Sequence, residues 1–391
     1  MKKGYIAITP STGGLQSTNH IVGRDEIIKD FWKVLKTQSI ALFAERRFGK
    51  SSILRKMADE TPKGFIFLYI PVEGDKTLNS FTDKLITHSH EKKLINKKLK
   101  TRLTQIWNGL AYIEVHGVKL KKITHDWQKS IFELFKTILE TNNDKIVIFA
   151  LDEFSIFLSE LSADDAKSVL GFFRDITHSP EFKNLRFIYN GSIGIDLVLD
   201  KLKIDKRNIG NPLSHMRRMD LPPLTPKNAQ YFGNCLKKGL EIKITQKLIE
   251  NICIEADNIP YFIDIIFDKI SKNKTVLQQH IDDALIEILN DTTSKNNINH
   301  FYDRISDFYP RPEIAIVVLN HISKNKDFTS ERSIISNTNS TINHNYNDII
   351  IKDEIERLKN DGYLIRKHAN DERMYDFKYK LLKKWWKINK A

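Results

Sequence analysis

ALFAERRFGKSSIL, residues 41–54, joins a short apolar run to a helical pattern through a loop that ends in Gly49-Lys50-Ser51. That order is a strand, a phosphate loop and a helix. In such a loop the backbone N–H groups wrap a triphosphate and the helix N-terminus adds its partial positive charge. Lys50 reaches the outer phosphates, and the Ser51 hydroxyl coordinates magnesium. Arg47, Phe48, Gly49 and Ser52 complete the stretch expected to touch nucleotide, with glycine at 49 where the backbone must come closest to phosphate. The pattern G-x-x-x-x-G-K-[ST] places glycine first, and Ala44 stands there instead. ATP and Mg2+ are the expected ligands.

A second element lies about a hundred residues on, in KIVIFALDEFSIF from Lys145. Lys145 to Leu151 has the length and continuous apolar character of a strand buried on both faces of a parallel sheet. Asp152-Glu153 ends it, at the carboxyl edge where open α/β sheets bind ligands. Asp152 is suited to hold magnesium, and Glu153 to orient or deprotonate an attacking water. An acidic turn capping the next helix is the alternative, and the partnership with the Gly-Lys-Ser loop decides against it.

With 391 residues the chain has room for two or three domains. Nothing in it resembles a signal peptide or an apolar run of the roughly 18 residues that span a bilayer, so a cytoplasmic protein without membrane attachment is expected. Cys235 and Cys253 lie in apolar helical surroundings without metal-ligand spacing and read as reduced core thiols. The net charge of +13 is concentrated: residues 84–122 carry +8 and residues 366–391 carry +6. Such segments suit nucleic acid or an acidic protein partner, and solvated lysine-rich faces are the other reading.

In chain order, residues 1–20 read as a polar arm outside the core. Ile21 and Val22 then precede Gly23-Arg24 and a helix with apolar Ile27, Ile28, Phe31, Trp32 and Leu35. This pair reads either as an adenine contact or as the lead-in to that helix. FIFLYIPV is a second buried strand. Residues 75–142 form a basic insertion of helices with a hairpin, AYIEVHGVKLKK, around Gly117. A helix from Ala163 to Ile176 follows, then a strand LRFIYNGS ending in Asn190 and Ser192, and a last strand in RRMDLPPL. Strands alternating with helices indicate a three-layer α/β domain with a parallel sheet, over residues 21–225.

The succession GRDEII, AERRFGKSS, ALDEF, NGSIG and DLPPL resembles the AAA+-related STAND ATPases, most closely the archaeal-type ATPases also found in bacteria. The resemblance runs over about residues 20–390. It implies a P-loop NTPase core with an AAA+-like sheet, a helical lid over residues 226–295 and a winged-helix domain over 300–391. It makes Asp152 and Glu153 the Walker B pair and gives Asn190 or Ser192 the sensor role near the γ-phosphate. In the lid, Asn258-Ile259-Pro260 is similar to the family's G-x-P motif, which makes Pro260 a nucleotide contact; a helix-opening proline is the other reading. Arg174, Arg217 and Arg218 are the arginines available as a finger.

Near the C-terminus FYPRPEIAIVVLNHIS reads as one helix and YNDIIIKDEIERLKNDG as another, followed by two strands and the terminal LLKKWWK. Helices followed by a two-stranded wing resemble a winged helix, which often reads DNA. The helix before the wing is nearly neutral, however, and Trp385 and Trp386 suit packing better than base stacking. The leading reading is an ATPase, slow in turnover, that switches with nucleotide, controls a protein partner and has the option of oligomerising. The alternatives are a DNA-binding initiator or transposition-type ATPase and a nucleotide-holding scaffold.

Overall fold

The computed structural model describes residues 4–391 apart from 13, 15, 44–46, 108–110, 116–117, 123–125, 205–212, 292–297, 343–345 and 370. Ala44 and the hairpin tip at Gly117 lie outside the described residues. The chain divides into two compact units, residues 26–43 with 50–220, and residues 1–25 with 44–49 and 221–391. Among the described residues no helix is long and apolar enough to cross a membrane.

The first unit is built on a five-stranded sheet of β1 (Ser39–Phe43), β2 (Phe65–Pro71), β5 (Ile146–Asp152), β6 (Leu185–Gly191) and β7 (Met216–Met219). The order is β2-β5-β6-β1-β7, with every neighbour parallel. Strands buried on both faces need continuous apolar runs, and IVIFALD supplies one in which only Ile146 is less than fully buried. The register pairs Pro71 with Asp152, Leu151 with Tyr189 and Phe43 with Gly191. Asp152, Asn190 and the exit of β1 therefore share the carboxyl edge.

Aromatic side chains fill the layer beside this sheet. Phe173 stands edge-on to Phe187 at 5.0 Å, and Phe154 stacks on Tyr189 at 4.3 Å. Phe173 belongs to the helix Ala163–His178, whose buried residues Ala166, Val169, Leu170, Phe173 and Ile176 recur at helical spacing. Ser162 caps that helix by accepting from the Asp165 N–H at 3.1 Å. The insertion has helices Leu78–Glu91, Lys97–Trp107 and Trp127–Thr141, with an antiparallel hairpin of β3 (Ala111–Val115) and β4 (Val118–Lys122) as a sheet of its own.

In the second unit, helices Pro226–Leu240, Gln246–Glu255, Pro260–Ile270 and Gln278–Asn290 are followed by His300–Phe308, Pro312–Lys324, Glu331–Thr341 and Asp348–Asn360. A three-stranded sheet ordered β8-β10-β9, from β8 (Thr329–Ser330), β9 (Leu364–Ala369) and β10 (Glu372–Phe377), and the helix Lys380–Asn389 complete it. The expected single helix FYPRPEIAIVVLNHIS is instead broken. One helix ends at Phe308 and the next opens on Pro312, because proline disfavours helical backbone in the residue before it and is tolerated in a first turn. Arg304 and Asp361 form a buried ion pair here, and Asp361 also accepts from the Tyr309 hydroxyl at 2.9 Å. Trp385 and Trp386 are fully buried, and Trp386 Nε1 donates to Asn320 Oδ1 at 2.8 Å, so both tryptophans pack the domain.

The N-terminal arm differs from expectation. Ile8 is fully buried and its N–H donates to the Cys235 carbonyl at 3.2 Å. The N–H groups of Ser11 and Thr12 both donate to Asp264 Oδ2, at 2.9 and 2.8 Å. Tyr5 packs on Tyr231 with ring centroids 5.5 Å apart. The arm's polar composition concealed this because its anchoring is mostly through backbone, which composition does not report. Gly239 makes room for the crossing: a Cβ there would lie 2.1 Å from the Ile8 carbonyl oxygen. Gly239→Ala should release the arm and lower stability by about 1–3 kcal/mol, the usual cost of overpacking. The loss is capped by the arm's own binding free energy, since the chain can let it go. Cleavage before Ser17 by a nonspecific protease, with a lowered melting temperature, is the expected readout; an arm as protected as in the wild type contradicts it.

Candidate nucleotide-binding site

The described part of the loop enters the helix Lys50–Asp59 through two left-handed residues, Arg47 at φ 73° and Gly49 at φ 86°. Gly49 meets nothing within 4 Å where a Cβ would stand, so its backbone angle and not crowding calls for glycine. Arg47 adopts the same region with a side chain, a strained state that must be held by its surroundings.

In the first unit four polar side chains converge on the end of β5. Asp152 is almost fully buried; Asn190 Nδ2 donates to its Oδ1 and the Tyr69 hydroxyl donates to its Oδ2 at 2.6 Å. The Ser51 side chain hydrogen-bonds the same carboxyl. Burial pushes the Asp152 carboxyl above the usual range, while the hydrogen bonds from Tyr69, Ser51 and Asn190 work in the opposite direction. Burial, followed by the neighbouring Asp152 charge, raises the Tyr69 phenol, so Tyr69 is a fixed donor. Lys50 is buried at the helix start, and Ser52 beside it is half-buried.

Glu153 follows in a left-handed conformation, φ 57° and ψ 37°, as the residue that caps the helix Phe154–Glu160. Its Oε2 accepts from the N–H of Ser192 at 3.0 Å and from the Ser192 hydroxyl at 2.9 Å. The two expected sensor residues thus divide, Asn190 to Asp152 and Ser192 to Glu153. The donor set fits magnesium: Ser51 and Asp152 offer hard oxygen atoms, and the buried Asn190 Oδ1 beside them has no hydrogen-bond partner. Of the arginines, Arg218 lies 3.5 Å from Asp196, Arg174 lies 3.8 Å from Asp175, and Arg217 is exposed on β7.

The second unit holds the remaining expected residues. The Arg47 guanidinium lies over the Tyr261 ring, 4.7 Å from its centroid, next in sequence to Pro260 at the start of Pro260–Ile270. Phe48 is 1% exposed and packs against Tyr379 with ring centroids 5.4 Å apart. Arg24 fastens the Phe48 carbonyl at 3.0 Å and the Pro222 carbonyl at 2.7 Å; burial draws its guanidinium down to about 10. Ile21 is buried and Val22 half-buried just before it.

Tyr69, Arg24, Tyr261 and Tyr379 are additions to the residues expected from sequence. Tyr69 had a signal, as the one polar-tipped residue in the apolar run FIFLYIPV. Tyr379 had none, because its partner lies more than three hundred residues away in the chain.

No protein-family model matches the chain, and no curated protein matches it. Solved structures do. The Walker-type ATPase paby2304 of Pyrococcus abyssi superposes with a TM-score of 0.63 at 16% identity, over 93% of this chain and 95% of that one. The ORC2 protein of Aeropyrum pernix, solved in complexes with ADPNP and ADP, superposes with a TM-score of 0.58 at 10% identity, over 97% of this chain and 94% of that one. With the parallel β2-β5-β6-β1-β7 order and Asp152 at the end of β5, the chain has the α/β fold that these two structures share.

Proposed function

We propose that this protein binds ATP with Mg2+, hydrolyses it slowly and uses the bound state as a switch that controls a protein partner. Lys50 carries the outer phosphates, Ser51 and Asp152 hold the metal, and Glu153 acts on the attacking water. Magnesium, when bound, supplies charge neutralisation of the phosphates. Ile21, Val22 and Pro260 are assigned to the nucleotide's other contacts. The helix, short strand, two helices and hairpin between Pro312 and Phe377 follow the winged-helix order, here read as the output domain. Free, buried Cys235 and Cys253 agree with a cytoplasmic setting.

The contact of Phe48 with Tyr379 carries the switch reading. Phe48 is two residues from Lys50, so a loop that tightens on phosphate moves a side chain seated on the C-terminal domain. A switch requires such a differential contact between its two states. Phe48→Leu keeps the apolar fill and removes the ring pair, a loss of about 1 kcal/mol. The expected outcome is ATP affinity within about fivefold of wild type, consistent with that small loss, and loss of the ATP-dependent change in amide exchange over residues 364–389. Exchange there that ignores ATP in the wild type would sink the switch.

The pairing of cations on the hairpin of β9 and β10 favours a protein partner over DNA. On the hairpin, Arg366 bonds Glu356 at 2.6 Å, Arg373 faces Glu331 at 3.6 Å and Lys367 sits over Phe328, so its cations are engaged internally. A DNA-binding reading rests on a different observation: Lys92, Lys93, Lys97, Lys98 and Arg102 are all exposed on the insertion. Such a row suits a phosphate backbone and predicts salt-sensitive binding. Assembly into an oligomer on nucleotide binding is compatible with either partner.

A further inference from the structure

Tyr69 stands outside every role assigned so far. It lies on β2, paired with Ala150, while Pro71 pairs with Asp152. Residues two apart on a strand share a face, and so do cross-strand partners, so Tyr69 and Asp152 face the same side diagonally, within reach of a tyrosine. The hydroxyl meets Asp152 Oδ2 at 2.6 Å, and Asn190 takes the other oxygen. The Ser51 side chain bonds the same carboxyl but is the expected metal ligand, so Tyr69 and Asn190 are the two donors left to hold the carboxylate's direction when Mg2+ binds. With donors on both oxygens it is fixed.

We propose that Tyr69 is a positioning residue for the metal side of the nucleotide site, holding Asp152 in the orientation that receives Mg2+ together with Ser51. The proposal rests on the nucleotide-binding reading. It requires the hydroxyl of Tyr69 and not its ring. Groups that orient a metal ligand typically contribute about 10–100-fold to metal affinity, and a single neutral donor belongs at the lower end.

The test is a titration of a fluorescent ATP analogue at a series of Mg2+ concentrations and in EDTA, for wild type, Tyr69→Phe and Tyr69→Leu. In Tyr69→Phe the Mg2+ concentration that half-restores tight binding should rise about tenfold, with affinity in EDTA unchanged. Tyr69→Leu should show the same rise, since both lack the donor. A half-point that moves only in Tyr69→Leu assigns the effect to the ring and overturns the proposal, as does one that moves in neither. Unchanged melting of Tyr69→Phe separates these outcomes from a folding defect. A wild-type protein that binds no analogue overturns the nucleotide reading itself, an outcome distinct from a wild type that binds and responds to Mg2+ while Tyr69→Phe matches it.

Discussion

Lys50→Ala should reduce ATP affinity by roughly thirtyfold or more. Removing one partner of a buried, charge-assisted contact costs about 2–5 kcal/mol, and each 1.4 kcal/mol is a factor of ten. The lysine is only 5% exposed at the first turn of Lys50–Asp59, so water cannot easily replace the lost ammonium against phosphate. Alanine is the strongest helix former, and the helix should persist. The decisive comparison is calorimetric titration with ATP on variant and wild type of equal melting temperature. Affinity within threefold of wild type would remove the phosphate-loop assignment.

The fold was largely legible in the sequence, for one physical reason. A parallel sheet covered on both faces needs unbroken apolar strands, and FIFLYIPV, IVIFALD and LRFIYNG stand out from the helical periods between them. The positions of Lys50, Ser51, Asp152 and Asn190 in the fold were legible too, because the first two open a helix and the other two close strand runs. What escaped depended on contacts that no local pattern encodes. Arg24 reaches carbonyls at Phe48 and Pro222, and Asp264 reaches backbone N–H groups at Ser11 and Thr12. In both, a side chain bonds to backbone, and the bonded residue's identity leaves no trace. The break between Phe308 and Pro312 is hidden by apolar spacing that continues past Pro310, a residue that disfavours helix at Tyr309, while Pro312 is free to open the next helix.

Glu153→Gln should leave ATP affinity near that of the wild type and lower turnover by about 10²- to 10⁴-fold, the range for removing a general base. The substitution is nearly isosteric: the glutamine carbonyl oxygen remains an acceptor for the Ser192 N–H and hydroxyl that hold Glu153 at 3.0 and 2.9 Å. The basic group is lost and the geometry kept. The left-handed backbone at residue 153 is unaffected by an amide in place of the carboxylate. Turnover measured with and without duplex DNA, at low and moderate salt, then also separates the functional readings. Slow turnover, indifferent to DNA and abolished in the variant, supports the switch. Turnover that DNA accelerates, with an effect that collapses as salt rises, assigns the exposed lysines of residues 92–102 to the phosphate backbone. Equal turnover in variant and wild type leaves Glu153 as no more than a helix cap. If that shared turnover is no faster than uncatalysed hydrolysis, the site holds nucleotide without acting on it, and the proposed coupling from Phe48 to Tyr379 reports occupancy alone.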